Sequence, residues 1–293
     1  MTIPATNRDL APRNWRHVDL QHRGLPRYSA DALDGIKAEL RDGAGFVLVQ
    51  GLLADADAAD AATRLCRFGG KLGRLLPQNA RQEELVEIAD FTDEDAFDDR
   101  GYRSPGELQP HTDPPPLIML LCLRAARSGG ANRLVSAESI REAIKAERPG
   151  LLALLEAGFP FFMPDEETPG GGRIRPAMPV LLDGPGGLSC VYYRPFIERA
   201  AAAGASLPAQ AIDALDLFDR VASDPEMQVR YTLAPGEALI LNNYRVLHAR
   251  DDYEDWPEKA ERRRLLRLWL DADWLPEPPA AHAGRRNPMA AML

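Results

Sequence analysis

The stretch "LQPHTDPPP" (108–116) sets His111 and Asp113 two residues apart among prolines, in a chain of 293 residues with only five histidines. In extended backbone, residues i and i+2 point to the same side, so this imidazole and carboxylate would enter one cavity together. Two such groups are one short of the facial set of two histidines and one carboxylate that holds non-haem Fe(II) and leaves three coordination positions open. His248, closing "GEALILNNYRVLH" (236–248), is the natural third ligand: a strand-like run, a short turn, then an imidazole. Taken singly, each residue has an ordinary alternative. His111 and Asp113 could form a loop hydrogen bond, and His248 could be a core histidine bonded to a carbonyl.

Three open positions would admit O2 and a 2-oxo acid, the latter through its C1 carboxylate and keto oxygen. A far carboxylate on that acid needs a cation, and arginine's planar fork suits it better than lysine's point charge. "RRRLLRLWL" (262–270) offers candidates. Alternation along a strand puts Arg263, Leu265 and Arg267 on one face and Arg264, Leu266 and Leu268 on the other. Most charge runs are solvated faces, so at least one of the four arginines at 262, 263, 264 and 267 is expected to be just that.

These residues need rigid carriers. Hydrophobic periodicity predicts helices over 29–42, with Ser29 as cap, and over 56–68, 137–157 (interrupted at Pro149) and 207–223. Apolar or alternating runs predict strands at 43–52, 84–90, 117–126, 132–137, 178–184, 188–194, 229–243 and 264–273. Many short strands with helices between them suggest a β-sandwich or jelly-roll barrel carrying helices. Two segments, 91–107 and 164–177, read as long loops of the kind used as lids or binding loops.

The order and spacing of "HTD", "SGGANRLVSA" (128–137), "PGEALILNNYRVLHAR" (235–250) and "RRLLRLWLD" (263–271) make the resemblance specific. Over about residues 30–273 the sequence resembles the Fe(II)/2-oxoglutarate oxygenases of the taurine dioxygenase, clavaminate synthase and γ-butyrobetaine hydroxylase group. The resemblance implies a mainly β fold with flanking helices and a double-stranded β-helix (jelly-roll, cupin-like) core. It implies Fe(II), 2-oxoglutarate and O2 as cofactor and co-substrates, with His111, Asp113 and His248 as iron ligands. Arg263, 15 residues past His248, matches the arginine that holds the far carboxylate of 2-oxoglutarate. Arg267 matches a position that in some members contacts an acidic group of the substrate. Asn132 stands where relatives often have a Thr or Ser against 2-oxoglutarate; the residues alone would also allow a turn asparagine after Gly129-Gly130. Related halogenases replace the carboxylate ligand with a small residue, so Asp113 favours hydroxylation or desaturation; hydroxylation is taken as the default, with desaturation or cyclisation as the alternative. Gln78, Asn79, Gln109, Tyr193 and Arg194 are further candidates for the pocket lining, Tyr193 and Arg194 being placed on a core strand.

The expected substrate is a small polar molecule, amino-acid-like or an amine-bearing acid. A non-catalytic jelly-roll binding or sensor protein is the competing reading, and the intact ligand set argues against it. The net charge of −9 argues against nonspecific binding to nucleic acid or anionic membrane, which needs basic patches. Three widely spaced cysteines form no disulfide framework. With no apolar signal core at the N-terminus, the expectation is a cytoplasmic, single-domain enzyme with a small-molecule substrate, its oligomeric state left open. Residues 1–28 and 274–293 are expected to be extended terminal segments, with His17, His22 and His282 at the surface.

Overall fold

A computed structural model describes residues 10–53, 58–79, 81–93, 101–164 and 171–286. Two β-sheets face each other, each backed by helices on its outer side. In the larger sheet, Arg27–Ser29 runs parallel to Phe46–Gln50. Then follow, all antiparallel, Ala238–Asn242, Leu117–Arg124, Arg264–Asp271 and Arg74–Leu76, with Leu85–Ile88 also paired to the Arg264–Asp271 strand. The smaller sheet has the order Gln228–Tyr231, Asn132–Ser136, Val246–Arg250, Leu108–His111.

Residue alternation decides which side chains meet. Leu265 and Trp269 join Phe46, Leu48, Ile118 and Leu241 on the inner face, against Leu134 and Val246 of the smaller sheet. Leu266, Leu268 and Leu270 point outward, with Val47, Met119 and Ile240, onto Ile36 and Leu40 of helix Leu33–Asp42 and Leu65 of helix Ala58–Leu72. A strand covered on both faces reads as a continuous apolar run, which explains "LIMLLCL" in the central strand. Val135 and Leu247 of the smaller sheet face a third cluster built by helices Ala137–Glu147, Pro149–Ala157 and Ala211–Ala222.

Several expectations change. Seven α-helices among the described residues make the architecture more evenly mixed than mainly β. Ser29 ends a short strand instead of capping a helix, and helix Leu33–Asp42 starts after Ala32 with no side-chain cap. The run 229–243 is two strands: Gln228–Tyr231 lies in the smaller sheet and Ala238–Asn242 in the larger. The chain reverses between them at Gly236, which has φ 85°, a conformation glycine adopts without strain. Tyr193 and Arg194 start a helix, Arg194–Ala202, instead of lying on a strand. The C-terminal part of 164–177 is no loop, because Gly172–Met178 pairs with Phe159–Pro164; residues 165–170 lie outside the described residues.

The termini are more structured than expected. His17–Arg23 is helical, and Trp15, fully buried, donates its indole N–H to the Ala44 carbonyl at 2.8 Å. At the other end Leu275 is buried, Ala280–Arg286 forms a 3-10 helix, and His282 is buried with it. His282 pairs through Nδ1 with the Ser189 hydroxyl at 2.8 Å and through Nε2 with the Pro179 carbonyl at 2.9 Å. It therefore ties the tail to the Leu181–Gly184/Gly187–Cys190 hairpin and is not a surface residue. His22 is exposed, as expected, while His17 is half-buried and pairs through Nδ1 with the Gln228 carbonyl at 3.0 Å. Residues 1–9 and 287–293 lie outside the described residues. No described helix is long and apolar enough to cross a membrane.

Candidate metal and 2-oxo acid site

The smaller sheet brings both histidines together by register. His111 is the last residue of its strand and the direct antiparallel partner of His248, and cross-strand partners share a face. Their rings lie 4.3 Å apart between centroids, tilted by 44°. Asp113 follows just past the strand. One ligand atom from each of His111, Asp113 and His248 lies within 4.8 Å of the others.

The tautomer of His111 follows from its partner. Nδ1 lies 2.7 Å from the Gln109 carbonyl, which can only accept, so Nδ1 carries the proton and Nε2 keeps its lone pair. That Nε2 faces Asp113 Oδ1 at 3.9 Å. The other carboxylate oxygen, Oδ2, accepts from Arg267 Nη1 at 3.3 Å. One oxygen is thus held by a guanidinium and the other turned to the histidines. Two imidazole nitrogens and one carboxylate oxygen, half-buried and already oriented, are a donor set that fits Fe(II).

The turn carrying Asp113 is held by a residue that sequence reading passed over. Asn243 is fully buried. Its Oδ1 accepts from the Asp113 N–H at 3.2 Å, and its Nδ2 donates to the Asp113 carbonyl and, at 3.0 Å, to the Pro115 carbonyl. Its own N–H donates to the Pro116 carbonyl at 2.8 Å. Asn243 therefore joins the turn bearing Asp113 to the turn that leads into His248. Thr112, between His111 and Asp113, exchanges hydrogen bonds with the backbone of Tyr192. Neither partnership leaves a motif in the sequence, because the partners are backbone groups far along the chain.

Arg267 is almost fully buried and pinned on several sides. Its Nε donates to Gln78 Oε1 at 2.7 Å, while Gln78 Nε2 donates to the Arg267 and Glu84 carbonyls. The guanidinium lies over Tyr102, 4.8 Å from the ring centroid, and over Trp269 at 5.0 Å. Gln78 thus reaches the site through Arg267. Tyr193 stands 5.7 Å from His111 between centroids and forms a wall beside it. Arg194 instead pairs with Glu198, Asp216 and Asp219, and Asn79 binds within its own turn to Arg81 and Glu83. Gln109 is exposed and contributes its carbonyl.

Arg263 is 4% exposed and reaches a small pocket that it shares with Cys122, Gly130, Asn132, Thr232 and Leu265. Asn132 and Arg263, both expected to touch 2-oxoglutarate, therefore line one pocket. Asn132 donates to the Tyr231 carbonyl at 3.4 Å. Gly130 has φ 69°, and a Cβ there would stand 3.3 Å from Arg263 Nε and 3.4 Å from Tyr253, so only glycine fits without crowding the guanidinium. Burial lowers the pKa of Arg263 against the opposing pull of Tyr253. Burial also lowers that of Arg250 to about 10, with Arg263 adding to the effect, and raises the Cys122 thiol to about 11. Among the other arginines of the run, Arg262 pairs with Asp93 and Arg264 with Glu87, both partly exposed. These are the solvated members.

The family model described as taurine catabolism dioxygenase TauD, TfdA family matches residues 8–269. FR-33289 synthase of Streptomyces rubellomurinus is 31% identical over 265 residues, 87% of this chain and 77% of that protein. An asparagine oxygenase solved with Fe(II), 2S,3S-3-hydroxyasparagine and succinate superposes with a TM-score of 0.63 at 18% identity, over 82% of this chain and 78% of that one. The non-heme iron oxygenase OrfP, solved with Fe and alpha-ketoglutaric acid, gives a TM-score of 0.59 at 15% identity, over 82% and 78%. Matched along most of its length, the chain belongs to the TauD, TfdA family and is an Fe(II)- and 2-oxoglutarate-dependent oxygenase.

Proposed function

We propose that this enzyme hydroxylates an unactivated C–H of a small polar substrate, amino-acid-like or an amine-bearing acid, on a double-stranded β-helix core formed by the two facing sheets. The observation that carries the reading is the meeting of His111, Asp113 and His248 within 4.8 Å, with the buried Arg263 and Asn132 in one pocket on the same core. His111, Asp113 and His248 hold Fe(II). Arg263 binds the far carboxylate of 2-oxoglutarate, and Asn132 adds a hydrogen bond from its amide.

Fe(II) held by these residues would supply O2 activation and the oxidising power for C–H cleavage, coupled to oxidative decarboxylation of 2-oxoglutarate to succinate and CO2. The chain's own contribution is positioning. Arg267 holds Asp113 by Oδ2, so that Oδ1 remains for the metal. The carbonyl of Gln109 fixes the His111 ring with Nε2 toward the metal. Arg267, with its remaining donors, is the cation an acidic substrate group would meet, which supports an acid as the substrate class. Tyr193 and Tyr102 close apolar walls near the ligands and limit water at the reacting carbon.

The test is succinate production from 2-oxoglutarate by iron-loaded protein, alone and with a panel of amino acids and amine-bearing acids. Stimulation by a member of the panel is the expected result. No succinate under any condition, with iron and 2-oxoglutarate shown to be bound, would overturn the reading in favour of a binding protein.

A further inference from the structure

Gln78 follows the short strand Arg74–Leu76 and Pro77. It is 4% exposed, an uncommon position for glutamine. Both amide hydrogens have a partner, since Nε2 donates to the Glu84 carbonyl at 2.8 Å and to the Arg267 carbonyl at 2.9 Å. Its Oε1 accepts from Arg267 Nε at 2.7 Å, and its backbone N–H donates to the Glu83 carbonyl at 2.9 Å. These partners fix which way the amide points: a flipped amide would turn its oxygen to two carbonyls and its hydrogens to an N–H. Gln78 therefore grips Arg267 at two points, main chain and side chain, while the guanidinium lies over the rings of Tyr102 and Trp269.

Held in this way, Arg267 presents Nη1 to Asp113 Oδ2 at 3.3 Å, while Oδ1 faces His111 Nε2 at 3.9 Å. A carboxylate can give a metal one oxygen or both. The difference matters in a facial ligand set, whose three open positions receive two atoms of the 2-oxo acid and O2. With both oxygens of Asp113 on the metal, one of those positions would close. An oxygen that accepts from a guanidinium has a lone pair engaged and a cation beside it, so it is the poorer metal donor.

We propose that Gln78 is a positioning residue: by clamping Arg267 it confines Asp113 to metal binding through Oδ1 alone, and so keeps the third coordination position open. The proposal rests on the iron and 2-oxoglutarate reading above. It gives Gln78 a task other than contact with the substrate, for which neither amide hydrogen is left. Removing the acceptor at Gln78 releases the Arg267 side chain to turn away from Asp113. Both carboxylate oxygens are then available to the metal.

The experiment counts the waters on the bound metal by water-proton relaxation of the protein loaded with Mn(II), a paramagnetic ion that takes the same kinds of nitrogen and oxygen ligand. Wild type, Gln78→Met, Gln78→Glu and Arg267→Met are measured before and after addition of 2-oxoglutarate, with the thermal midpoint of each metal-free protein. The wild type is expected to hold about three waters, and about one once 2-oxoglutarate is bound. Gln78→Met and Arg267→Met should hold about two, and about zero with 2-oxoglutarate. Gln78→Glu keeps an acceptor for Arg267 Nε but offers no donor to the Arg267 and Glu84 carbonyls. It should lose stability as Gln78→Met does, yet hold the wild-type number of waters, which a merely structural role for Gln78 does not predict. On the iron-loaded protein, succinate formation by Gln78→Met should fall about 10- to 100-fold. Should methionine at this position prevent folding, Gln78→Leu offers the same comparison. A wild-type water count in Gln78→Met or Arg267→Met, or an equal loss of water in Gln78→Glu, would overturn the proposal. Failure of the underlying reading looks different: the wild type would bind neither Mn(II) nor Fe(II), or 2-oxoglutarate would displace no water from the bound ion.

Discussion

Replacing Asn243 by alanine removes one fully buried side chain and three hydrogen bonds to the turn that carries Asp113. Each neutral intramolecular bond contributes about 1 kcal/mol net, and more where a buried group loses its partner outright. Three of them suggest a loss of roughly 2–4 kcal/mol in the metal-free protein, a fall of about 5–10 °C in thermal midpoint for a chain of this size. The second consequence is specific to the site. With the Asp113 backbone released, the carboxylate is no longer presented to the two histidines, and Fe(II) affinity should fall about 10- to 100-fold, as for other outer partners of metal ligands. Asn243→Asp sharpens the test. It keeps an acceptor for the Asp113 N–H, but turns an oxygen instead of an N–H toward the Asp113 and Pro115 carbonyls, and should do no better than alanine. Urea unfolding of the metal-free proteins and anaerobic Fe(II) titration read the two effects separately. A stability loss below about 1 kcal/mol would refute the hydrogen-bond reasoning. The full loss with iron affinity unchanged would reduce Asn243 to a purely structural residue.

Three further outcomes are expected. Arg263→Met should weaken 2-oxoglutarate binding by about 30-fold or more with Fe(II) affinity retained, measured by calorimetry; equal loss of iron would contradict its placement in a separate pocket. Glu237 is buried, which alone would raise its pKa, but hydrogen bonds from Tyr231, Gln50, the Ala234 N–H and Arg27 outweigh this and hold it at about 2 against the ordinary 4.5. A depressed native pKa stabilises the fold above the ordinary value, and that stabilisation is lost as pH falls toward 2. The wild type should therefore lose stability to acid between about pH 4.5 and 2 more steeply than Glu237→Gln, and parallel urea-unfolding curves across that range would contradict this. His282→Leu, which leaves the Ser189 hydroxyl and Pro179 carbonyl without their partner, should cost about 1–3 kcal/mol of stability and leave iron binding untouched. An unchanged unfolding midpoint would mean that the tail is not tied down by this residue.

What could be read in advance, and what could not, follows from the range of each interaction. The strand at 264–271 was legible because its two-residue period separates Leu265 and Trp269 from Leu266, Leu268 and Leu270 onto two different cores. The meeting of His111, Asp113 and His248 was legible because metal chemistry restricts residue type and strand geometry restricts spacing. Arg263 stood out from Arg262 and Arg264 only through the motif, since a run of arginines carries no sign of which one is buried. Asn243 gave no signal: its bonds go to backbone groups about 130 residues away, and any sequence could provide those. His282 was misplaced, and the anchoring of the N-terminal segment by Trp15 gave no signal, because terminal segments lack periodicity and burial there depends on single anchors. The split of 229–243 into two sheets was missed for a similar reason, since apolar content continues across the turn while the hydrogen-bond partners change.

The most direct measurement is the visible charge-transfer absorption of the protein with Fe(II) and 2-oxoglutarate under anaerobic conditions, compared between the wild type and His111→Ala. The expected result is a band in the wild type that is absent from the variant, because the variant lacks one of the three side chains that would hold the iron. A band of the same position and strength in His111→Ala would contradict the assignment of His111, Asp113 and His248 as the iron site.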